Sequence, residues 1–271
     1  MILVTGANGQ MGRSLRKILP QDKVIYTDLA ELDISVYDGV EKIIRENGVS
    51  TVINAAGYTA VDSAEKNIDQ AYAVNALGAR NLAMASAKHN CGMIQLSTDY
   101  IFDGNNFKPY TENDKPHPLS VYGQTKLEGE LFALKHAPQC IVLRTSWLYS
   151  EFGTNFVKTI ISLAKKQDEI KVIYDQIGSP TYAGDFAAII EGMIPVVKNG
   201  VKKIPSRALP SPAVRDWSVR APAPEGSSFS MTKLPSPGRR PVRTGGVPGT
   251  PGMAALPGTS PLAHILPEFI N

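Results

Sequence analysis

Cysteines, long apolar runs and a secretion signal are scarce or missing in this sequence, and each absence narrows what the protein can be. The two cysteines, Cys91 and Cys140, lie far apart in apolar surroundings without metal-type spacing, so both are predicted to be small buried hydrophobes without chemistry of their own. No run of about eighteen apolar residues predicts a membrane-spanning helix. The opening MILVTG is strand-like and lacks the regions of a secretory signal, so we expect a cytoplasmic protein.

An excess of positive charge is missing from most of the chain. The formal net charge is +3, but residues 201–271 hold nine Lys and Arg against three Asp and Glu, which leaves residues 1–200 mildly acidic. No basic stripe with interleaved aromatic residues runs through this part, so nucleic-acid binding has little support. With 271 residues, 43% of them hydrophobic, the chain can bury one substantial core.

Apolar strand candidates alternate with amphipathic helix candidates from residue 1 to about residue 198. The predicted strands, expected to be buried on both faces, are 1–5, 23–27, 51–56, 92–97, 140–145 and 170–174. The predicted helices are 12–19, 37–47, 69–88, 124–135 and 155–166. This alternation predicts an α/β fold with a doubly wound parallel sheet of the Rossmann type.

The composition changes near residue 200. Residues 201–271 contain thirteen of the twenty prolines and no periodic segment long enough to predict a helix or a strand. Pro and Gly at this density favour disorder, because such a chain buries too little apolar surface to offset the entropy of ordering it. We therefore divide the chain into an α/β domain, 1–198, and a disordered tail, 199–271.

The stretch TGANGQMG places Gly6, Gly9 and Gly12 at three-residue spacing between the first strand and the first helix. Glycines let backbone N–H groups approach a pyrophosphate at the positive end of a helix, so this position favours dinucleotide binding over a simple tight turn. Asp28 ends the second strand, where a carboxylate can bind the adenosine ribose and would favour NADH by repelling a 2′-phosphate. A turn or cap role for Asp28 is almost equally open.

The stretch SVYGQTK sets Tyr122 and Lys126 four residues apart, a spacing that puts both on one face of a helix. A phenol ionises near pH 10, and a neighbouring cation lowers its pKa. We expect Lys126 to lower the pKa of Tyr122, so that Tyr122 exchanges a proton with a reacting oxygen. On these two residues alone, a packed tyrosine and a solvated lysine on an ordinary helix would be the favoured interpretation.

A longer series of motifs strengthens the enzymatic interpretation. The segments GANGQMG, INAAGYTAVDSAE, LSTDYIFDG, PLSVYGQTKLEGE, LRTSWLY, GTNFVKT and DQIGSPTYAGD follow one another between residues 1 and 198. In this order they resemble the extended short-chain dehydrogenase/reductase family, and within it the rhamnose-forming branch. The resemblance implies NADPH- or NADH-dependent reduction of the 4-keto group of dTDP-4-dehydrorhamnose, in the biosynthesis of nucleotide sugars and cell-surface polysaccharides. It is compatible with a homodimer.

The resemblance implies a role for each matching residue. Tyr122 would donate a proton to the ketone oxygen, Lys126 would lower the pKa of Tyr122 and hold the nicotinamide ribose, and Thr98 would hydrogen-bond the ketone oxygen. Substrate contacts are expected from Thr98, Asp99, Trp147 and Asn155, the first three at the sugar and Asn155 near the nucleotide. Cofactor contacts are expected from Tyr122 and Lys126 and from Gly6, Asn8, Gly9, Gln10, Met11, Gly12, Asp28, Asp33, Ile34, Ala55, Ala56, Gly57 and Thr59.

Other interpretations remain open. A non-catalytic protein similar to the regulatory subunit of methionine adenosyltransferase would also bind a nicotinamide nucleotide, although retention of Thr98, Tyr122 and Lys126 favours an enzyme. A sugar-nucleotide epimerase or a fucose synthase is disfavoured by STDYIFDG, and an inactive, truncated reductase is a further alternative. Asp62 and Glu65 could approach a magnesium ion, but loop carboxylates are more often solvated, so no metal site is predicted.

The chain departs from the family pattern after SPT, residues 179–181. Family members continue with strands and helices that complete the sugar-binding domain, whereas a Pro-, Arg-, Ser- and Gly-rich tail follows here from about Val201. We expect a shift of reading frame near Lys202 or Lys203, with a genuine basic extension as the rival explanation. The cofactor part is then complete and the smaller C-terminal substrate-binding part is incomplete.

Overall fold

The computed structural model describes residues 1–106, 108–173, 178–198 and 228–232. Its main sheet contains the strands β1 (Ile2–Thr5), β2 (Val24–Thr27), β3 (Thr51–Asn54), β4 (Gly92–Thr98) and β5 (Cys140–Thr145). All neighbours in this sheet are parallel, and the strand order is β2-β1-β3-β4-β5. The direction of winding reverses between β1 and β3, which opens a crevice at the carboxyl ends of the strands. The predicted doubly wound α/β fold is confirmed.

Helices flank the sheet on both faces. They are α1 (Gln10–Ile18), α2 (Tyr37–Glu46), α3 (Val61–Ala64), α4 (Ile68–Tyr72), α5 (Gly78–Lys88), α6 (Val121–His136), α7 (Phe156–Lys166) and α8 (Ala183–Lys198). A π-helical segment, Ala73–Leu77, joins α4 to α5, and short 3-10 turns cover Gln21–Lys23 and Asp99–Ile101. The sequence pattern did not predict α3 or α8. Pro195 lies inside α8, although a proline in a helix interior normally kinks or ends the helix.

The core has two layers because successive residues of a strand point to opposite faces of the sheet. Leu3, Val52 and Met93 pack into one cluster with residues of α2, α5 and α6. Their neighbours along the strands pack into a second cluster with α1 and α8; these are Val4, Ile53 and Ile94. Cys91 is buried in the first cluster and Cys140 is half-buried beside it, so the first thiol matches the prediction and the second is less enclosed than expected.

Three strand predictions need correction. β5 is half-buried along its whole length, and β2 is half-buried at Ile25 and Tyr26, instead of buried on both faces. Among the described strands, β2 and β5 each have a sheet neighbour on one side only. β7 (Glu169–Ile173) matches a predicted strand but lies outside the parallel sheet, where it pairs antiparallel with β9 (Ser228–Thr232). A short apolar run predicts a strand, but it does not indicate which other strand pairs with it. A further parallel pair, β6 (Leu148–Tyr149) with β8 (Thr181–Tyr182), was not predicted.

The predicted tail, 199–271, is described by the structure only in β9. Its predicted disorder, and Val201, Lys202 and Lys203 at the expected change of reading frame, lie outside the described residues. Within the described part of the chain, every helix is too short or too polar to cross a membrane.

Candidate functional site

The turn between β1 and α1, residues 6–12, is here called the glycine loop. Gly6 has a φ of +67°, and a Cβ built on it would lie 2.6 Å from backbone atoms of Ala55 and Ala56. A Cβ on Gly12 would lie 2.5 Å from the Gly6 carbonyl oxygen, so neither position can carry a side chain without moving backbone. Gly9 caps α1 without a side-chain hydrogen bond. The first N–H groups of α1 therefore remain available to an anion.

The carboxylate of Asp28 ties the end of β2 to the glycine loop. Asn8 N–H donates to Asp28 Oδ2 at 2.8 Å, and Leu29 N–H donates to Asp28 Oδ1 at 2.9 Å. This is the turn role that the sequence left open. Each carboxylate oxygen keeps a further lone pair, so the same residue can also accept from a ribose hydroxyl.

Asp33 and Ile34 follow β2 and have different surroundings. Asp33 is exposed, and its Oδ1 accepts from the backbone N–H of Ser35 at 2.9 Å in a local turn. Ile34 is buried against α5, where a Cβ on Gly78 would lie 2.5 Å from the Ile34 Cδ1 atom. The structure thus assigns Ile34 to the core, and cofactor contacts by either residue stay predictions.

The loop after β3 carries Ala55, Ala56, Gly57 and Thr59 along one wall of the crevice. A Cβ on Gly57 would lie 3.8 Å from Lys126 Nζ and 3.9 Å from Thr59 Cγ2, so this loop brings the predicted cofactor groove close to the predicted catalytic lysine. Gln10 and Met11 begin α1, where Met11 is buried, and their cofactor contacts stay predictions.

Asn75 in the π-helical segment holds this loop in place, and sequence reasoning missed it. Tyr58 N–H donates to Asn75 Oδ1 at 2.8 Å, and Asn75 Nδ2 donates to the Thr125 hydroxyl of α6 at 3.1 Å. Asn75 is itself buried. A lone amide inside the apolar run AYAVNALGA was the signal that could have found it, because buried polar side chains need partners.

Thr98 and Tyr122 meet at the carboxyl end of β4. The Thr98 side chain lies close enough to the Tyr122 phenol to lower its pKa, although the two are 24 positions apart in the sequence. Thr98 also donates to Asp99 Oδ1 at 3.1 Å and accepts from Tyr100 N–H at 3.3 Å. The ring of Tyr100 packs edge-on against Tyr122 with centroids 5.4 Å apart. The structure therefore brings the predicted proton donor and the predicted second hydroxyl into one buried pair.

Lys126 lies one turn along α6 from Tyr122, but it does not act on that residue as expected. Its Nζ donates to the Leu96 carbonyl at 2.8 Å. Burial lowers the pKa of Lys126 to about 8, with the charge of Glu130 opposing the shift. Burial raises the pKa of Tyr122 to about 12, partly offset by the nearby Thr98 side chain. The expected lowering of the Tyr122 pKa by Lys126 is not found, because desolvation dominates both groups.

Asp99 is also perturbed by its surroundings. Burial raises the pKa of its carboxyl group to about 6, against the lowering effect of the hydrogen bonds from Thr98 and from backbone N–H groups. Asp99 adjoins the buried hydroxyl pair, so it adds a second titratable group to the same end of β4. Its predicted contact with a sugar stays a prediction.

Trp147 adopts an unusual backbone conformation just after β5. Its φ is +46°, a left-handed value that is uncommon for a bulky residue, and its side chain is 37% exposed. A Cβ on Gly178 would lie 2.8 Å from the indole Nε1, so only glycine fits beneath this ring. Strained backbone of this kind tends to occur at binding sites, which supports the predicted role at the sugar without testing it.

Asn155 lies against the glycine loop, and its polar atoms are all bonded within the protein. Its Nδ2 donates to Gln10 Oε1 at 3.0 Å and to the Ser150 carbonyl at 2.8 Å, and its Oδ1 accepts from Lys158 N–H at 3.0 Å. It is therefore the N-cap of α7 and a link to the start of α1. A contact with the nucleotide of a substrate stays a prediction.

The two carboxylates considered for magnesium have other surroundings. Glu65 Oε1 accepts from Val121 N–H at 2.8 Å, which fixes the start of α6, and Asp62 is exposed on α3. In the described ranges, no group of three or more His, Cys, Asp or Glu residues is arranged to hold a metal ion.

A glycine loop at the switch point of the sheet and a tyrosine–lysine helix beside it together define an extended short-chain dehydrogenase/reductase. Comparison with known families narrows this class. The family described as the RmlD substrate binding domain matches residues 1–206, and the chain belongs to that family.

Named relatives agree with this family. The chain is 48% identical over 192 residues to the dTDP-4-dehydrorhamnose reductase of Aggregatibacter actinomycetemcomitans, a match that covers 70% of this chain and 65% of the relative. It therefore spans just under two thirds of that protein's length.

Solved structures of similar proteins have the same fold. A dTDP-4-dehydrorhamnose reductase from Clostridium acetobutylicum superposes with a TM-score of 0.70 at 46% identity, covering 73% of this chain and 71% of that one. The Bacillus anthracis dTDP-4-dehydrorhamnose reductase in complex with NADP gives a TM-score of 0.69 at 42% identity, covering 71% and 70%.

Proposed function

We propose that this protein uses NADPH or NADH to reduce the 4-keto group of dTDP-4-dehydrorhamnose, which yields dTDP-L-rhamnose for cell-surface polysaccharide biosynthesis. The observation that carries the proposal is that Thr98 and Tyr122 lie buried together at the carboxyl end of β4, in a fold whose glycine loop suits a pyrophosphate. The relatives named dTDP-4-dehydrorhamnose reductase support the choice of substrate.

The residues of the crevice fit a nicotinamide dinucleotide. Gly6, Gly9 and Gly12 support a pyrophosphate at the start of α1, and Lys126 is the proposed contact to the nicotinamide ribose. Asp28 favours NADH, whereas the NADP bound to the Bacillus anthracis relative supports NADPH. When bound, the cofactor supplies a hydride to the carbonyl carbon of the sugar.

The chemistry of the buried hydroxyl pair follows from its protonation. With a pKa of about 12, Tyr122 is fully protonated at neutral pH and is ready to act as an acid. The ketone oxygen gains negative charge during reduction, and the hydroxyl groups of Thr98 and Tyr122 meet that charge. Proton transfer from Tyr122 then completes the alcohol.

Loss of NADPH or NADH absorbance with dTDP-4-dehydrorhamnose tests the proposal. We expect turnover by the full chain and a loss of about 10²- to 10⁴-fold in Tyr122→Phe, because this change removes the proton donor and little volume. Tyr100→Phe is the control, since it alters a neighbouring ring at the same site. Cofactor binding without turnover in the unmodified chain would instead support a non-catalytic nucleotide-binding protein or an inactive reductase.

We also propose that the protein works in the cytoplasm as a homodimer. On the outer faces of α5 and α6, three large apolar side chains are exposed, namely Met84 at 40%, Leu131 at 57% and Leu134 at 55%. Apolar exposure of this kind favours an interface between proteins. Light scattering on the purified chain tests the assembly, and a monomeric mass at micromolar concentration would refute it.

The division of the chain at residues 198 and 199, with a change of reading frame near Lys202 or Lys203, is a further proposal. The abrupt rise in proline and basic residues supports it. Sequencing the coding DNA across this point tests it, and the absence of any frame that restores family-like residues would favour a genuine basic extension.

A further inference from the structure

We propose that Glu130 is a positioning residue that keeps Lys126 protonated from one helical turn away, inside the protein. No role was assigned to Glu130 by its sequence pattern. The consequence for turnover rests on the proposed function, but the charge state of Lys126 does not depend on it.

Tyr122, Lys126 and Glu130 follow one another along one face of α6 at four-residue spacing. They are 9%, 7% and 2% exposed, so the tyrosine, the lysine and the glutamate are all removed from solvent. A charge placed this deep interacts strongly with its neighbours, because the protein interior screens less than water does. Glu130 therefore acts on Lys126 through protein and not through solvent.

The carboxylate of Glu130 is held rigidly by Arg144 of β5. Arg144 Nε donates to Glu130 Oε1 at 2.9 Å, and a terminal guanidinium nitrogen of Arg144 donates to Oε2 at 2.7 Å. Such a two-bond pairing fixes the position of the carboxylate. The Arg144 side chain is 29% exposed, so solvent screens its charge, whereas the Glu130 side chain is only 2% exposed. The negative charge of the pair therefore has the stronger effect inside the protein.

The hydrogen bond made by the Lys126 ammonium does not supply a negative charge to balance it. Lys126 Nζ donates to the Leu96 carbonyl at 2.8 Å, and Gln95 Nε2 donates to the same oxygen at 2.9 Å. Both of these partners are neutral. Burial alone would favour a neutral amine, and the charge of Glu130 raises the pKa of Lys126 against that effect.

Other titratable side chains belong to α6 and to the elements that contact it. On α6 they are Tyr122, Glu128, Lys135 and His136; on the contacting elements they are Asp62 of α3, Asp69 and Tyr72 of α4, Arg80 and Lys88 of α5, Asp99 and Tyr100 in the turn after β4, and Cys140 and Arg144 of β5. Among the described residues, Glu130 is the group whose charge acts on the pKa of Lys126. Without it, the lysine would lose its proton nearer to neutral pH.

The test is a pH titration of the lysine side chains by ¹H–¹³C NMR on the full chain. The Lys126 signal is identified by its loss in Lys126→Met, and its midpoint is expected at about 8 in the unmodified protein. Glu130→Gln should lower this midpoint by about half a pH unit or more, because the opposite charge is gone. Glu128→Gln, which removes an exposed charge from the same helix, should leave it unchanged.

A purely structural role for Glu130 predicts a different result. Glu130→Gln would then lower the melting temperature, since Arg144 loses its partner, but the Lys126 midpoint would not move. Glu130→Gln combined with Arg144→Gln keeps an uncharged pair and guards against failure to fold. If neither variant folds, the unmodified protein still decides, because a Lys126 midpoint below about 7 would leave the amine largely neutral at neutral pH and would overturn the proposal.

Turnover supplies a second readout. In Glu130→Gln the basic limb of the kcat profile should move to lower pH by the same amount as the NMR midpoint. Absence of turnover in the unmodified chain would count against the proposed reductase, while the NMR midpoints would still decide the role of Glu130.

Discussion

Two adjacent strands of the sheet, β4 and β5, differ sharply in burial. All seven residues of β4 are buried, whereas all six of β5 are half-buried. The helices follow the same division, since α5 buries seven residues and α7 buries none of its own. We call residues 1–136 the first part and residues 140–173 the second part. The core of the first part is completed by α8, which packs on one face of the sheet, whereas the second part is thinly packed. The first part should therefore contribute more to the stability of the fold.

The largest expected effect compares two isoleucines that are paired in register, Ile94 of β4 and Ile141 of β5. Both contribute to the same core cluster, but Ile94 is fully buried and Ile141 only partly. Ile94→Ala should lower the free energy of unfolding by about 2–5 kcal/mol, because it leaves a cavity. Ile141→Ala should cost less than about half as much. Urea denaturation measures both, and equal losses would mean that β5 is as well covered as β4.

The next effect compares Gly6, where backbone atoms block a Cβ, with Gly192, where a Cβ has open space. Gly6→Ala should cost about 1–3 kcal/mol, because Gly6 has a positive φ and its Cβ would collide with the backbone after β3. It should also abolish nucleotide binding in a fluorescence titration. Gly192→Ala is the control: a Cβ there meets nothing within 4 Å, so the change in α8 should stabilise by about 0.5–1 kcal/mol. Unimpaired binding in Gly6→Ala would argue against the predicted pyrophosphate site.

A smaller effect compares the N-caps of one helix from each part. Ser120 caps α6 through one bond, to Gly123 N–H at 3.1 Å, whereas Asn155 caps α7 and also donates to Gln10 and Ser150. Removal of an N-cap typically costs about 0.5–2 kcal/mol. Asn155→Ala should fall near the upper end and Ser120→Ala near the lower, as measured by thermal unfolding. The reverse order would show that the hydrogen bond from Asn155 of α7 to Gln10 of α1 contributes little to the free energy of unfolding.

The smallest expected effect is on how stability changes with pH. Asp99 and Asp103 should contribute changes of opposite sign, because the pKa of the first is raised and that of the second is lowered. The Asp99 pKa is raised to about 6 from its ordinary 3.8, so its cost to stability appears as pH rises from about 4 to 6. Asp99→Asn should therefore gain stability relative to the unmodified protein above pH 6 and lose that gain near pH 4. A difference that does not change with pH would contradict the raised pKa.

Asp103 is the counterpart in this comparison. Its pKa is lowered to about 2, chiefly by the hydrogen bond from the Tyr110 hydroxyl. Its contribution to stability is therefore present above pH 4 and is lost as the pH falls towards 2. Asp103→Asn should be less stable than the unmodified protein at neutral pH, with the difference shrinking in acid.

Much of the fold was predictable because its signals are local. Five of the six predicted strands form the parallel sheet, and the glycine spacing marks the β1–α1 turn, since both patterns depend on neighbouring residues. The pairing of β7 with β9 was not predictable in this way, because its partners are about sixty residues apart and no periodicity connects them. α8 was missed because Pro195 interrupts its pattern.

The sequence predicted which residues form the candidate site better than it predicted what those residues contact. Tyr122 and Lys126 came from their helical spacing and Thr98 from a motif resemblance, and the structure brings the three to one end of β4. Asn75 and Glu130 were missed, since each matters through a partner on another element, Thr125 for one and Arg144 for the other. Such partners become neighbours only when the helices pack on the sheet.

The sequence by itself determined the order of strands and helices, the glycine loop and the shared face of Tyr122 and Lys126, because each follows from residues a few positions apart. Only the tertiary structure decided their chemical state. Tyr122 and Lys126 are buried by elements distant in the chain, and this burial raises one pKa to about 12 and lowers the other to about 8. The reason is physical: loss of solvent disfavours the charged form of either group, and solvent is excluded by the whole fold and not by any short segment.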